Sequence, residues 1–189
     1  MNAMDLHEAI RGRRTIRKFK PTPVPRDLLA EVMELALWAP SSGGEHEYEL
    51  VVTRGALRAR IQEAVVDQLV SIRADCERHH GHKIAEEIAA FYRDFGGAPV
   101  LVFAYAGRLP DGRDDTFGIS VAVHNMVLGA HAAGLGTAWA ALPCAHSVER
   151  AAGLADNGKT LVGIVPVGFP DEETRPVARN DNRVRWIGY

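Results

Sequence analysis

The stretch FGISVAVHNMVLGAHAA, residues 117–133, is nearly all apolar or small. On a helical projection Val123 and Val127 lie on one face, while Ile119 and Met126 cover others. A helix that is apolar all round belongs in the centre of a domain. This stretch therefore predicts a buried central helix on which the other elements pack.

Two histidines interrupt that helix. His124 and His131 are seven residues apart and share one helical face. Since a histidine among apolar neighbours is more often a packed side chain than a catalytic one, the sequence favours a core or interface role for both.

The segment GLGTAW, residues 134–139, follows the central helix directly. It contains G-x-G but no third glycine, and it comes after a helix, whereas a dinucleotide-binding turn runs from strand to helix. The sequence therefore argues against a Rossmann site. The glycines instead let the main chain run close to something flat or bulky, and we expect Ala138–Leu142 to be extended.

Moving outward, single strands alternate with helices. Strands are predicted at 48–53, 99–105 and 160–169, and helices at 5–12, 25–40, 56–95 with an interruption near Gly81, and 147–153 with Ser147 as cap. The helix after Pro25 has apolar residues on most of its surface, which predicts burial on more than one side. The pattern indicates one α+β layered domain spanning 1–189 around a single sheet.

Near the N-terminus, Arg13-Arg14-Thr15-Ile16-Arg17 places three guanidiniums and a hydroxyl within five residues. A guanidinium directs paired N–H donors toward an oxyanion, so the cluster suits a phosphate group. A short basic run is also common on solvated surfaces. The interpretation therefore depends on whether other segments converge on the cluster, and the arginine-bearing C-terminal tail is the first candidate.

Composition limits the partners. The 189 residues carry 22 Lys and Arg against 24 Asp and Glu, for a formal net charge of -2. Such a balance does not indicate a nucleic-acid or membrane-surface partner, and no run approaches the length of a membrane span. Two widely spaced cysteines and an N-terminus without a signal-type apolar core favour the cytoplasm.

Cys76, His79, His80 and His82 raise the question of a metal site. Their neighbours are charged, and no second Cys/His pair stands at fixed spacing, as zinc sites usually require. We expect no metal here, and a solvated helical hairpin instead. The sequence also lacks a nucleophile elbow, a P-loop and a zincin motif, so any chemistry is expected to belong to a cofactor.

Five segments, in order, resemble the FMN-dependent nitroreductase family. RRTIRKF at 13–19 is similar to its RRSxRxF opening, and WAPSS at 38–42 to its APS loop. GLGTAW at 134–139 resembles GLGTxW, VGFP at 167–170 its GYP turn, and VRW at 184–186 its close. Each motif is weak alone, but five in the right order span nearly the whole chain.

The resemblance implies a mostly antiparallel sheet flanked by helices, in an intertwined homodimer with FMN at the subunit interface. It assigns the phosphate and ribityl chain to Arg13, Arg14, Thr15 and Arg17, with Arg179 as a further phosphate contact for which Arg175 and Arg183 compete. It brings Pro40, Ser41 and Ser42 to the flavin from the other subunit. It gives Ala140 and Ala141 the backbone N–H groups near flavin N5, and no catalytic side chain is implied.

By the same resemblance, NAD(P)H reduces the flavin, and a small acceptor such as a nitroaromatic or quinone reoxidises it in a ping-pong cycle. Residues 44–48, GEHEY, replace the Asn and Gln-Pro-Trp that many members carry. That departure keeps open a specialised flavin reaction (dehalogenation, azoline oxidation or flavin breakdown). A separate alternative is a flavin-storing or flavin-sensing dimer with little turnover.

Overall fold

The computed structural model describes residues 4–41, 44, 46–141, 145–176, 178–179 and 183–188. Its elements, in chain order, are helices α1 (Leu6–Gly12) and α2 (Arg26–Leu37), strand β1 (Tyr48–Arg54), helices α3 (Ala56–Val66), α4 (Leu69–His80) and α5 (His82–Tyr92), a 3-10 turn (Phe95–Gly97), strand β2 (Val100–Ala106), helix α6 (Thr116–Ala132), strand β3 (Gly136–Thr137), helix α7 (Ala145–Ala152) and strand β4 (Thr160–Gly168).

The four strands form one sheet in the order β1-β2-β4-β3, with each neighbouring pair antiparallel. β2 is buried along its whole length, which agrees with the continuous apolar run expected of a central strand. A register shift after Ala104 marks a bulge against β4. The sequence prediction of an α+β fold around one antiparallel sheet is confirmed.

Helices cover both faces of the sheet. On one face, α2 and α6 pack against Val100, Val102 and Val165. On the other, residues of α3, α5 and α7 pack against Leu101, Phe103 and related side chains. Since alternate residues of a strand point to opposite faces, β2 contributes to both cores. α6 buries residues on several sides, so the central helix that the sequence predicted is confirmed.

The two glycines around β3 have distinct roles. Gly134 has a φ of 77°, and its neighbours close α6 through the Leu135 N–H to Ala130 carbonyl bond of 2.8 Å, the pattern of a Schellman cap. A Cβ on Gly136 would lie 2.8 Å from Cγ1 of Ile16. The bulky partner that the sequence expected beside these glycines is therefore Ile16.

Three details of the sequence prediction are wrong. The stretch 56–95 has a second break between α3 and α4, besides the one at Gly81. Ser147 lies inside α7, which begins at Ala145, because helical backbone starts before the hydroxyl that was expected to cap it. The helix after Pro25 was expected to be buried on more than one side, but in the single chain α2 fully buries only one stripe, formed by Leu29, Val32 and Ala36.

The outer side of α2 remains exposed in the single chain. Leu37 at its end is 63% exposed, and the following Trp38 is 75% exposed. Large apolar side chains are seldom left so open together unless a partner covers them. Among the helices of the described residues, none is both long and apolar enough to cross a bilayer.

Candidate functional site

The arginine segment lies along the free edge of the sheet. Thr15 forms a parallel bridge with Thr137, and the Ile16 N–H donates to the Thr137 carbonyl at 2.9 Å. Further along the segment, the Lys20 N–H donates to the Phe169 carbonyl at 2.9 Å. Ile16 and Phe19 are buried against the domain, so the segment is anchored by its apolar residues while its polar residues line the surface beside β3.

Two adjoining clefts open beside this edge. The first has a volume of about 170 Å³ and lies between the arginine segment, α6 and β3; it is lined by Arg13, Thr15, Ser120, Val123, His124, Val127, Thr137 and Trp139. The second, of about 150 Å³, lies toward α1 and the C-terminal tail, and its polar lining includes Arg14, His131 and Glu172. Arg13 and Thr137 line both clefts, so the two form one continuous polar surface.

Like charges meet at Arg13. Burial, the Arg179 guanidinium and the Arg14 guanidinium together lower the pKa of Arg13, in that order of size. Within the described residues, no carboxylate lies within ion-pair distance of Arg13 or Arg179. Two segments far apart in the chain therefore bring positive charge to one place, and neither guanidinium has an ion-pair partner among the described residues. Such an arrangement favours the binding of an anion.

Arg14 holds the end of α1. Its Nη1 donates to the carbonyl oxygens of Arg11, Gly12 and Arg13 at 2.6, 3.1 and 2.9 Å, groups that a helix C-terminus leaves without partners. Its Nε is buried and has no hydrogen-bond partner among the described residues. A buried donor left unpaired is costly, so this guanidinium retains capacity for an anionic acceptor.

Arg17 has a different environment. Its side chain is exposed and lines neither cleft, while its backbone N–H donates to Oε1 of Glu172. The same carboxylate oxygen accepts the Lys18 N–H at 3.0 Å. Glu172 therefore joins the arginine segment to the start of the tail that carries Arg179, and its negative charge is occupied by main-chain donors.

Beyond β3 the chain continues along β4 to Ala140. The Ala140 N–H donates to the Ile164 carbonyl, and the Ile164 N–H donates to the Ala140 carbonyl, both at 2.9 Å. Because the N–H and C=O of a trans peptide point in opposite directions, the Ala141 N–H points away from β4. The Ala140 amide is thus occupied, and the Ala141 amide is the outward donor at this edge.

The orientation of that donor is held from behind. The Tyr92 hydroxyl donates to the Ala141 carbonyl at 2.8 Å, and a Cβ on Gly163 would lie only 2.7 Å from the indole nitrogen of Trp139. Trp139 thus packs directly over Gly163 of β4. The edge presents a backbone donor beside an aromatic ring.

Pro40 and Ser41 lie elsewhere in the single chain. They line a larger cavity, of about 670 Å³, with the 109–115 loop and the start of α6. None of its lining residues is an arginine of the N-terminal cluster. Ser42 falls outside the described residues. The structure of one chain therefore does not bring this loop to the arginine clefts.

Sequence reasoning missed several lining residues. His124 is exposed and lines the first cleft, so the core role is wrong for it, whereas an interface role stays a prediction. Ser120 and His124 stand four residues apart on one face of the mostly apolar α6, and that polar interruption was the available signal.

For the polar hairpin α4–α5, no metal-binding group of three or more His, Cys, Asp or Glu occurs among the described residues.

Comparison with known proteins identifies the architecture. The sequence model described as "Nitroreductase family" matches residues 10–169 of this chain. This chain belongs to the nitroreductase family.

Relatives of this nitroreductase-family chain align over most of its length. YfhC of Bacillus subtilis strain 168, provisionally named an NAD(P)H nitroreductase, is 26% identical over 186 residues, covering 96% of this chain and 92% of that protein. Iodotyrosine deiodinase of Danio rerio is 25% identical over 178 residues, covering 86% of this chain and 59% of that protein.

A solved structure shares the fold. The FMN and NADPH-dependent nitroreductase NfnB from a Sphingopyxis strain ("sphigopyxis sp. strain HMH") superposes with a TM-score of 0.80 at 23% identity, covering 98% of this chain and 100% of that chain. The resemblance that the motifs indicated is therefore confirmed at the level of family and fold.

Proposed function

We propose that the protein is an FMN-dependent oxidoreductase that takes electrons from NAD(P)H and passes them to a small acceptor, such as a nitroaromatic or a quinone, in a ping-pong cycle. Family membership over residues 10–169 supports the class of reaction. The relatives whose names specify NAD(P)H or FMN support the choice of donor and cofactor.

The observation that carries the proposal is the meeting of Arg13 and Arg179. These residues are 166 positions apart in the chain, yet each guanidinium lies within the electrostatic reach of the other, without an ion-pair partner among the described residues. A phosphate dianion would remove this repulsion and accept hydrogen bonds from several guanidinium groups at once. The buried, unpaired Nε of Arg14 fits the same requirement.

The residues of the site suit the parts of FMN. Arg13, Arg14 and Arg179 would hold the phosphate, with Thr15 and Thr137 beside the ribityl chain. Ala141 would donate its outward N–H to the ring, and we assign Ala140 a supporting role because its own amide is bonded to Ile164. Arg17 would act at the periphery. Bound FMN supplies hydride acceptance and release, which no side chain here can supply.

We assign no catalytic side chain. The chain's contribution is to bind and orient the cofactor, to place a preorganised donor where negative charge develops on reduction, and to shape the opening for donor and acceptor. The same opening would serve both in turn, as a ping-pong cycle requires.

We further propose that the active form is a homodimer located in the cytoplasm. The exposed apolar residues at the end of α2 would be covered by the second subunit, and Pro40, Ser41 and Ser42 would reach the partner's flavin across that interface. This arrangement gives a role to a loop that lies away from the arginine clefts of its own chain.

The test is the flavin content of the purified protein. We expect a yellow protein that releases FMN, not FAD or riboflavin, on denaturation at about one per chain, and whose visible absorbance bleaches when NADH or NADPH is added anaerobically. Bleaching should reverse on addition of a quinone or nitroaromatic. A colourless protein that cannot be loaded with FMN would overturn the proposal.

A second candidate is reductive dehalogenation, which the deiodinase relative favours. The replaced loop at 44–48 lies next to the segment proposed to meet the partner's flavin, so acceptor selection is the property expected to differ. Rapid flavin reduction without turnover of nitroaromatics or quinones, together with halide release from a halotyrosine, would favour this alternative.

A further inference from the structure

His131 lies where α6, α1 and the arginine segment meet. It is in the last turn of α6 and lines the second cleft together with Arg13 and Arg14. Its ring packs against the end of α1 so closely that a Cβ on Gly12 would lie 2.9 Å from Nε2. A side chain at position 12 would require the imidazole to shift from its place beside the arginines.

Charged groups from the arginine segment, α1 and the tail lie around this imidazole. Arg13, Arg14 and Glu8 act on its charge, and Glu172 lines the same cleft. Burial first, and then the two guanidiniums, lower the pKa of His131, while Glu8 has an opposing, smaller effect. The carbonyl end of α6 also favours a positive charge here, but burial and the two guanidiniums together leave the pKa of His131 lowered. In the anion-free protein the ring is therefore held in its neutral form near neutral pH.

We infer that His131 belongs to the anion site and takes up a proton when a phosphate group binds in the arginine cleft. The inference rests on the proposed function only for the identity of the phosphate carrier. The cleft itself, with Arg13 and Arg14 in its lining, can be examined with inorganic phosphate alone.

The pKa of His131 rises because the bound anion changes the electrostatic potential at the imidazole. A dianion between Arg13 and Arg14 offsets the two charges that disfavour imidazolium, and it adds a negative partner of its own. Proton uptake and anion binding are then linked, so each strengthens the other. Because the pKa of His131 is higher in the bound state, its contribution to affinity grows as the pH falls through that value and is complete below the anion-free value.

The direct test is an NMR titration of the imidazole resonances of the wild-type protein from pH 5 to 8.5. The FMN-free protein is titrated in a weakly binding chloride buffer and again with saturating inorganic phosphate. We expect the pKa of His131 to rise by about one unit or more on addition of phosphate, whereas the imidazole resonances of the exposed His79 on α4 should be unaffected by phosphate. A His131 titration that is unchanged by saturating phosphate, or phosphate that does not bind at all, would overturn the inference.

A second measurement uses FMN and a matched pair of variants. The ratio of the FMN dissociation constant of His131→Gln to that of wild type should grow about tenfold between pH 8 and pH 5.5, since a one-unit pKa shift corresponds to a tenfold linkage. The titration of the FMN phosphate itself cancels in this ratio. His79→Gln should give a constant ratio, and so should riboflavin, which lacks the phosphate, with either variant.

The outcomes separate this inference from the proposed function. A phosphate-induced shift of His131 in a protein that cannot be loaded with FMN would support the inference and overturn the proposed function. FMN binding and reduction by NAD(P)H without any shift in the pKa of His131 would support the proposed function and overturn the inference. A ratio that does not change with pH would count against the linkage.

Discussion

Arg13 lines both clefts and has two other guanidiniums as neighbours. Replacing it by Gln removes one charge from a repelling group. We expect Arg13→Gln to weaken FMN binding roughly 10- to 100-fold, the range of a lost charge-assisted hydrogen bond. The melting temperature of the FMN-free protein should stay level or rise slightly, because the repulsion is relieved.

Arg60→Gln, on the exposed side of α3, is the matched control and should change neither quantity. Affinity is measured by quenching of FMN fluorescence, and stability by thermal unfolding of the FMN-free form. Unchanged FMN affinity in Arg13→Gln would contradict the assignment of the phosphate site.

Gly96 is a residue whose identity the fold requires. It has a φ of 64°, and a Cβ there would overlap the carbonyl oxygen of Arg17. Its own carbonyl accepts the Phe19 N–H at 2.8 Å. Gly96→Ala should lower the free energy of unfolding by about 3 kcal/mol or more, from backbone strain plus overlap, and should detach the arginine segment.

Gly112→Ala separates the two causes. Gly112 has a φ of 81° but open space around its Cβ position, so it should lose only about 1–2 kcal/mol, from backbone strain alone. Urea unfolding of both variants provides the measurement. Equal losses would show that the contact with Arg17 is unimportant.

At the scale of elements, the site depends on how the tail docks on the arginine segment. Glu172 accepts main-chain N–H groups from Arg17 and Lys18, and the tail leads from there to Arg179. Glu172→Ala should cost about 1–3 kcal/mol of stability, because two donors lose a charged acceptor, and FMN should dissociate faster because Arg179 is no longer held near Arg13.

The neighbouring Glu173 is exposed, and Glu173→Ala removes the same charge without the bonds. Comparing the two variants therefore distinguishes docking from a change in net charge. Urea denaturation and the FMN release rate are the measurements, and indistinguishable variants would contradict the docking role.

At the scale of the whole molecule, the exposed apolar surface predicts a dimer. Leu37→Asp should convert a dimer into a monomer and reduce FMN retention together with it, since burying a carboxylate in an apolar interface is costly. Val70→Asp, at a position of α4 that is 83% exposed, should leave both properties unchanged. Light scattering after size exclusion measures the mass; a wild-type monomer, or a dimer in Leu37→Asp, would contradict this arrangement.

The sequence predicted those parts of the fold that depend on interactions between residues close together in the chain. β2 and α6 were predictable because a continuous apolar run and an all-round apolar helix both report burial directly. The start of α7 was not predictable, because a serine can cap a helix or lie inside one. Contacts with neighbouring elements decide which of the two occurs. A single-domain extent of 1–189 stays a prediction.

The site divides along the same line. The arginine motif and its extended backbone belong to local sequence, and the amides at 140–141 were expected from the family resemblance. Other features depend on register and packing between distant segments. These are the convergence of Arg13 with Arg179, the hydrogen bond from the Ala140 amide to Ile164, and the position of His131 beside Gly12.

By itself the sequence determined most of the elements, the central helix and the family, because periodicity and ordered motifs are properties of neighbours along the chain. Only the tertiary structure decided which charges meet and which amides remain available, because Coulomb energy and hydrogen-bond geometry depend on distances in space.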